Sequence, residues 1–220
     1  MTLALAAALI LTGVAVVCAA MLYRAHRAGA NKQLLSFGAL AMALILLVAL
    51  LAPQPVGLFY KAAILLGLII ATLATALLLS RFLPDYAAHA HFLLVYLFYF
   101  AAFASRTRFP LPSLAVLLVI VGWAIAYFQF TPVLRDEWGA ATAYAVALGI
   151  SAWQALELVV LQPGALWSWL ALAGMALIVA VHSVQAVDRF RRPFQVASLA
   201  PVALILAHGA VAWSVWAFPI

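Results

Sequence analysis

Apolar residues in this chain come in long unbroken stretches, not in strand-like alternation. Eight runs stand out, at about 3–22, 34–52, 57–79, 88–104, 112–130, 139–161, 165–186 and 196–217. About 20 apolar residues carry a helix across a bilayer. Lipid offers no partner to an unpaired backbone group, so each run is expected to be an α-helix. The connections are short, which makes sequential neighbours antiparallel. Pro53, Pro55, Pro84, Pro110, Pro112, Pro132, Pro163, Pro193 and Pro219 fall at or beyond run ends, where helix breakers belong. Pro201 lies in the first turns of the last run, where it is tolerated. The pattern predicts an all-α, polytopic transmembrane helical bundle of about eight spans, with 1–220 as a single integral membrane domain. The fourth run is the shortest.

Composition supports this. The chain is 70% hydrophobic and 7% charged, against about 25% charged residues in soluble domains. Net charge is +6, but the basic residues sit in short clusters between runs, as topology requires, so nucleic acid is not an expected partner. Cys18 is the single cysteine, so no internal disulfide can form. The first run is longer than a signal-peptide core and no basic residue precedes it, so it is expected to be a retained span. With eight spans, one set of loops holds Arg24, Arg27, Lys32, Arg81, Arg135, Arg189, Arg191 and Arg192, and the other holds Lys61, Arg106 and Arg108. The excess places the first set in the cytoplasm and both termini outside.

Ionisable groups inside spans are costly and usually face the bundle interior. Here they are Lys61, His91, Glu157, His182 and His208, joined by Tyr96, Tyr99, Tyr144, Gln154 and Gln185. At 1.5 Å per residue, Lys61 and Glu157 share a depth near the outer end, which allows an ion pair; a snorkelling lysine is the other reading. His182 lies about 6 Å from the cytoplasmic end of its run, level with Tyr144 and roughly 18 Å from Glu157. Gln185 shares the face of His182. These side chains can line a pocket open to the cytoplasmic leaflet. Each histidine can equally be a structural donor to a neighbouring helix. Trp123, Trp138, Trp153, Trp167, Trp169, Trp213 and Trp216 fall largely at run ends, as interfacial anchors do. There is no phosphate loop, cysteine pair, HExxH or GxSxG, so neither a metal nor another cofactor is expected.

Three segments carry a family resemblance, and a fourth, in the last run, sits in register with them. Tyr60-Lys61 opens an apolar run. Ala143-Tyr-Ala-Val-Ala-Leu-Gly-Ile-Ser-Ala-Trp-Gln-Ala-Leu156 is a tyrosine-led run. Gly174 to Phe190 is a glycine, an apolar stretch, then Ala186, Arg189 and Phe190. Leu204-Ile-Leu-Ala-His-Gly209 lies in the last run. In order and spacing, over about the last two-thirds of the chain, these resemble the YhhN-type, lysoplasmalogenase-like membrane proteins. The departures are specific. Ala62 stands where that family has proline, Val181-His182 where it has Ser-Asp, and His208 where it has glutamine. Tyr96 and Tyr99 stand where it has histidine and tyrosine, and its Gly-Asp pair after the third helix is missing.

The resemblance implies hydrolysis of the vinyl-ether bond of a lysophospholipid, which is acid-catalysed and suits two carboxylates. Both are replaced here. The expectation is therefore a divergent hydrolase with His182, His208, Tyr144 and Glu157 as catalytic candidates. Tyr96, Tyr99, Gln154, Gln185, Arg189 and Lys61 would be substrate-binding candidates. The expected partner is membrane lipid, with a homo-oligomer or membrane complex as a further form. The expected location is a bacterial inner membrane. The competing readings are a non-enzymatic lipid- or small-molecule-binding bundle, a subunit of a larger membrane assembly, or a haem bundle using His91 with His182.

Overall fold

A computed structural model describes residues 2–53, 57–80, 85–107, 122, 138–190 and 199–217, the side chains of 78, 80, 85–90, 138, 140, 141 and 186–190 excepted. The described helices are α1 (Leu3–Arg27), α2 (Asn31–Leu50), α3 (Leu58–Ser80), α4 (Asp85–Thr107), α5 (Trp138–Leu161), α6 (Leu166–Phe190) and α7 (Ala200–Trp216). No strand occurs among the described residues. The helices follow the expected runs, except that the fifth run, 112–130, lies outside the described residues but for residue 122. Five of them (α1, α2, α3, α5 and α6) are long and apolar enough to cross a membrane. This is a multi-pass, all-helical membrane protein in contact with lipid.

The fourth run is longer as a helix than its apolar stretch suggested. α4 covers 23 residues, because its last turn continues through polar side chains that bond back to their own helix. Ser105 Oγ donates to the Ala102 carbonyl at 2.6 Å. Such back-bonding lets short hydroxyl residues extend a helix in apolar surroundings. Pro201 sits at the start of α7, as expected. Between α1 and α2 the chain reverses on Gly29, whose φ of 67° is open to glycine at little cost. Ala30 N–H reaches the Ala25 carbonyl at 2.9 Å and Gly29 N–H the His26 carbonyl at 3.2 Å. These two bonds close the end of α1 as a Schellman motif.

Sequential helices pack side by side, and α7 also lies against α1, α2 and α3 as well as α6. Size, more than polarity, decides which face turns inward. On α1, Ala8, Ala15, Cys18, Ala19 and Ala25 are buried while Leu9, Ile10, Val14 and Val17 are exposed. Small residues let helices approach closely where lipid removes the hydrophobic drive between them. At Gly174 on α6 the backbone of α7 itself comes close. A Cβ there would stand 2.7 Å from the Ala207 carbonyl oxygen of α7.

α4 and α5 run parallel, because Tyr96 meets Tyr144 at one level and Thr107 meets Gln154 at another. Both helices therefore begin at one end of the bundle. That end carries Arg24, Arg27 and Lys32, all exposed, and is called the basic end below. The tryptophan expectation needs correction at one position. Trp167 is 1% exposed. Its ring meets Tyr60 edge-on at 5.6 Å, making it a core residue at a helix end. Trp213 and Trp216 also bond inward, to Thr12 Oγ1 at 3.0 Å and the Val48 carbonyl at 2.6 Å.

Candidate active site

α6 carries His182 inward near the basic end, where it meets two phenols from two other helices. Tyr96 Oη of α4 lies 2.5 Å from His182 Nε2. Tyr144 Oη of α5 lies 3.1 Å from Nδ1 and 3.0 Å from Nε2. The two phenol oxygens are 3.4 Å apart. Tyr96 O–H donates to Nε2. Tyr144 Oη, about equally far from both nitrogens, stands against the imidazole between them. The ring of Phe92 closes one side of His182, edge-on at 6.0 Å, and is stacked on Tyr96 at 6.4 Å. Tyr96 is fully buried, while His182 is half-buried. Ser151 Oγ holds α5 to α4 at this level, bonding the Tyr96 carbonyl at 2.7 Å and the Ala147 carbonyl at 2.6 Å.

An imidazole in such a cluster can take up a proton at one nitrogen and release one at the other, with the phenols carrying the exchange. The Nε2 of His182, held by Tyr96 at 2.5 Å, is not open to a haem iron, so the His91–His182 haem pairing gains no support here. Among the described residues no three of His, Cys, Asp and Glu group as a metal site would.

His208 forms a second, separate pair. Its Nδ1 is 2.8 Å from Tyr99 Oη, one turn of α4 beyond Tyr96. His208 Nε2 is buried with no hydrogen-bond partner among the described residues. The Tyr99 ring reaches His208 by crossing α3 at Gly67, where a Cβ would lie 2.6 Å from Tyr99 Cε1.

The remaining candidates lie at the other end of the bundle. Lys61, 6% exposed, donates to the carbonyls of Leu50 at 3.0 Å and Ala52 at 2.7 Å. It thereby closes the end of α2. Glu157 is buried on α5 and accepts from Trp153 Nε1 at 3.1 Å. Its helix packs on α4 and α6, whereas Lys61 belongs to α3, which packs on α2, α4 and α7. The ion pair that a shared depth allowed is not formed: Lys61 gives its protons to the α2 carbonyls instead. Gln154 is fully buried, accepts a short hydrogen bond from Thr107, and leaves its Nε2 without a partner. Gln185 faces a small cavity. Arg189 lies in the last turn of α6, and its side chain is outside the described residues.

The geometry thus joins His182, Tyr144 and Tyr96, pairs His208 with Tyr99, and leaves Lys61, Gln154 and Glu157 at the far end. Sequence reasoning missed Phe92, Ser151, Tyr60 and Ser214. The last two bond each other at 2.7 Å across 154 positions. A serine or threonine inside an apolar run signals nothing by itself, because most only bond back to their own helix.

Residues 35–207 match the YhhN family model, from α2 into α7. The chain belongs to the YhhN family. The match reaches further toward the N-terminus than the motifs suggested, and it leaves α1 outside. Comparison with curated proteins and with solved structures gave no match. His182, beside the phenols of Tyr96 and Tyr144, lies within the matched residues.

Proposed function

We propose that this YhhN protein is a divergent lysoplasmalogenase-type hydrolase that cleaves the vinyl-ether bond of a lysophospholipid, with His182 as its acid and base. The observation that carries the reading is the His182–Tyr96–Tyr144 cluster, half-buried near the basic end, where a headgroup-linked bond can reach it. In this scheme protonated His182 gives its proton to the outer alkenyl carbon. The positive charge then rests on the inner carbon and the ether oxygen. Water adds to the inner carbon and its proton passes to the now neutral imidazole. The resulting hemiacetal loses its hydroxyl proton, breaks the carbon–oxygen bond to glycerol and hands a proton to that oxygen. The products are a fatty aldehyde and the glycerophospho-headgroup. Tyr144 and Tyr96 orient the ring and relay the exchange. Arg189 would meet the phosphate at the basic end. His208 and Glu157 carry no step in this scheme.

The setting proposed is a bacterial inner membrane, with the basic end cytoplasmic and both termini outside. The chain would act as a single membrane domain, alone or in an oligomer or complex. The test is aldehyde release from lysoplasmalogen by the purified protein beside His182→Ala. The expected result is release by the wild type and a loss of about 10²- to 10⁴-fold in the variant. Equal release from both would reject His182 as the acid and base.

A second reading is lipid binding without chemistry. It is favoured by a specific feature: a cationic imidazole opposes the positive centre of this reaction, and the family's aspartates are absent. A folded wild type that binds lysolipid and releases no aldehyde would support it.

A further inference from the structure

A cavity of about 30 Å³ is lined by Phe92, whose ring also meets the His182 ring edge-on. Its walls come from six helices and include Leu22, Met42, Thr75, Phe92, Gln185 and Leu204. A space of about 10–15 Å³ holds one water, provided that the walls offer polar partners. This cavity has the room. It also has two such partners. Thr75 of α3 and Gln185 of α6 both face it, and neither side chain hydrogen-bonds to another residue among those described. For Thr75 this is unlike Thr12 and Thr72, whose hydroxyls bond back to the carbonyls four residues earlier. Its hydroxyl is left for the cavity. Gln185 sits one turn beyond His182 on the same helix.

We propose that Thr75 and Gln185 hold a water in this cavity, and that this water is the nucleophile delivered past Phe92 to His182. The second half rests on the hydrolase reading above. A reaction that adds water to a carbon inside an apolar bundle needs a supply close to the reacting group. The rest of the wall here is hydrocarbon, so water stays only where these two side chains bind it. The threonine hydroxyl donates and accepts, and the glutamine amide does both, so a single water can be held from two sides. The Phe92 ring, packed on both Tyr96 and His182, is the partition between store and site.

The test separates the two halves. Met42 lines the cavity and is 0% exposed, and Met175 is equally buried but does not line it. Brief radiolysis makes hydroxyl radicals from water where it stands, so a buried methionine is oxidised only if water is beside it. Met42 is expected to be oxidised in the purified wild type and Met175 spared. In Thr75→Val/Gln185→Leu, Met42 oxidation should fall about tenfold. Thr75→Ser/Gln185→Asn, which keeps the polar groups, should retain it and shows that the site tolerates substitution. Protection of Met42 equal to that of Met175 in the wild type means a dry cavity and overturns the proposal. Aldehyde release decides the delivery role: the apolar double variant should lower kcat several-fold with KM unchanged. An active wild type matched by an equally active double variant overturns delivery. A wild type that releases no aldehyde rejects the hydrolase reading and delivery with it, while the Met42 result still decides the water site.

Discussion

Replacing Gly67 by alanine should loosen the Tyr99–His208 pair, and the size of the effect can be worked from the contact. A Cβ at this position would stand 2.6 Å from Tyr99 Cε1 and 2.9 Å from Cδ1, where ordinary contact begins at 3.4 Å. The ring must therefore move by about 0.8 Å. It cannot swing freely, because Tyr99 is fully buried and lies 6.3 Å from the Phe103 ring. A shift of that size away from His208 would stretch the 2.8 Å bond to about 3.6 Å, which is no longer a hydrogen bond. His208 Nε2 already has no partner among the described residues, so the ring would lose its anchor. Overpacking costs about 1–3 kcal/mol and the lost bond about 1 kcal/mol. Alanine in a helix returns about 0.5–1 kcal/mol relative to glycine. The net expectation is a loss of about 1–3 kcal/mol. Gly13 on α1 is the control, since a Cβ there meets nothing within 4 Å. Gly13→Ala should gain about 0.5–1 kcal/mol. The assay is unfolding by SDS titration from mild detergent. Gly67→Ala at least as stable as wild type would refute the reasoning. In a Tyr99→Phe background the alanine should cost less, because the hydrogen bond is already gone.

Gly174→Ala should destabilise by about 1–3 kcal/mol in the same titration, since the new methyl meets backbone of α7, which cannot rotate aside. Lys61→Met should cost about 1–3 kcal/mol by leaving the Leu50 and Ala52 carbonyls without their donor. An unchanged midpoint would mean that another group closes the end of α2. Tyr96→Phe should lower aldehyde release by about tenfold, from about 1.4 kcal/mol of lost hydrogen bonding to His182. Tyr144→Phe, whose contacts are longer, should lower it less. The reverse order would count against Tyr96 as the principal partner of His182.

The chain's membrane character, its helical content and the spacing of its helices were legible in sequence, because a bilayer forbids any other use of such long apolar runs. The grouping of His182 with Tyr144 was legible for a related reason, whereas Tyr96 counts deeper along its run and joined them only in the structure. Helices of known rise starting from known ends place residues at computable depths, and polar groups at one depth tend to find each other. The α4 boundary was less legible, since Ser105 and Thr107 look like a helix end but are built into the last turn.

Depth is one coordinate, and the others came only from tertiary structure. Nothing in an all-apolar helix marks which face is inward, so α7 could not be assigned its place against α1, α2, α3 and α6. The same gap hid the separation of Lys61 from Glu157. The two share a depth, but α3 and α5 have different neighbours, and Lys61 bonds α2 instead. Close approaches at Gly67 and Gly174, and the Tyr60–Ser214 bond, depend on lateral packing that no spacing along the chain encodes. The sequence by itself determined that this chain crosses a membrane as helices and at what depth its polar groups lie. Only the tertiary structure decided which of them touch, because in lipid the sideways arrangement of helices is set by the shape of facing side chains, not by their polarity.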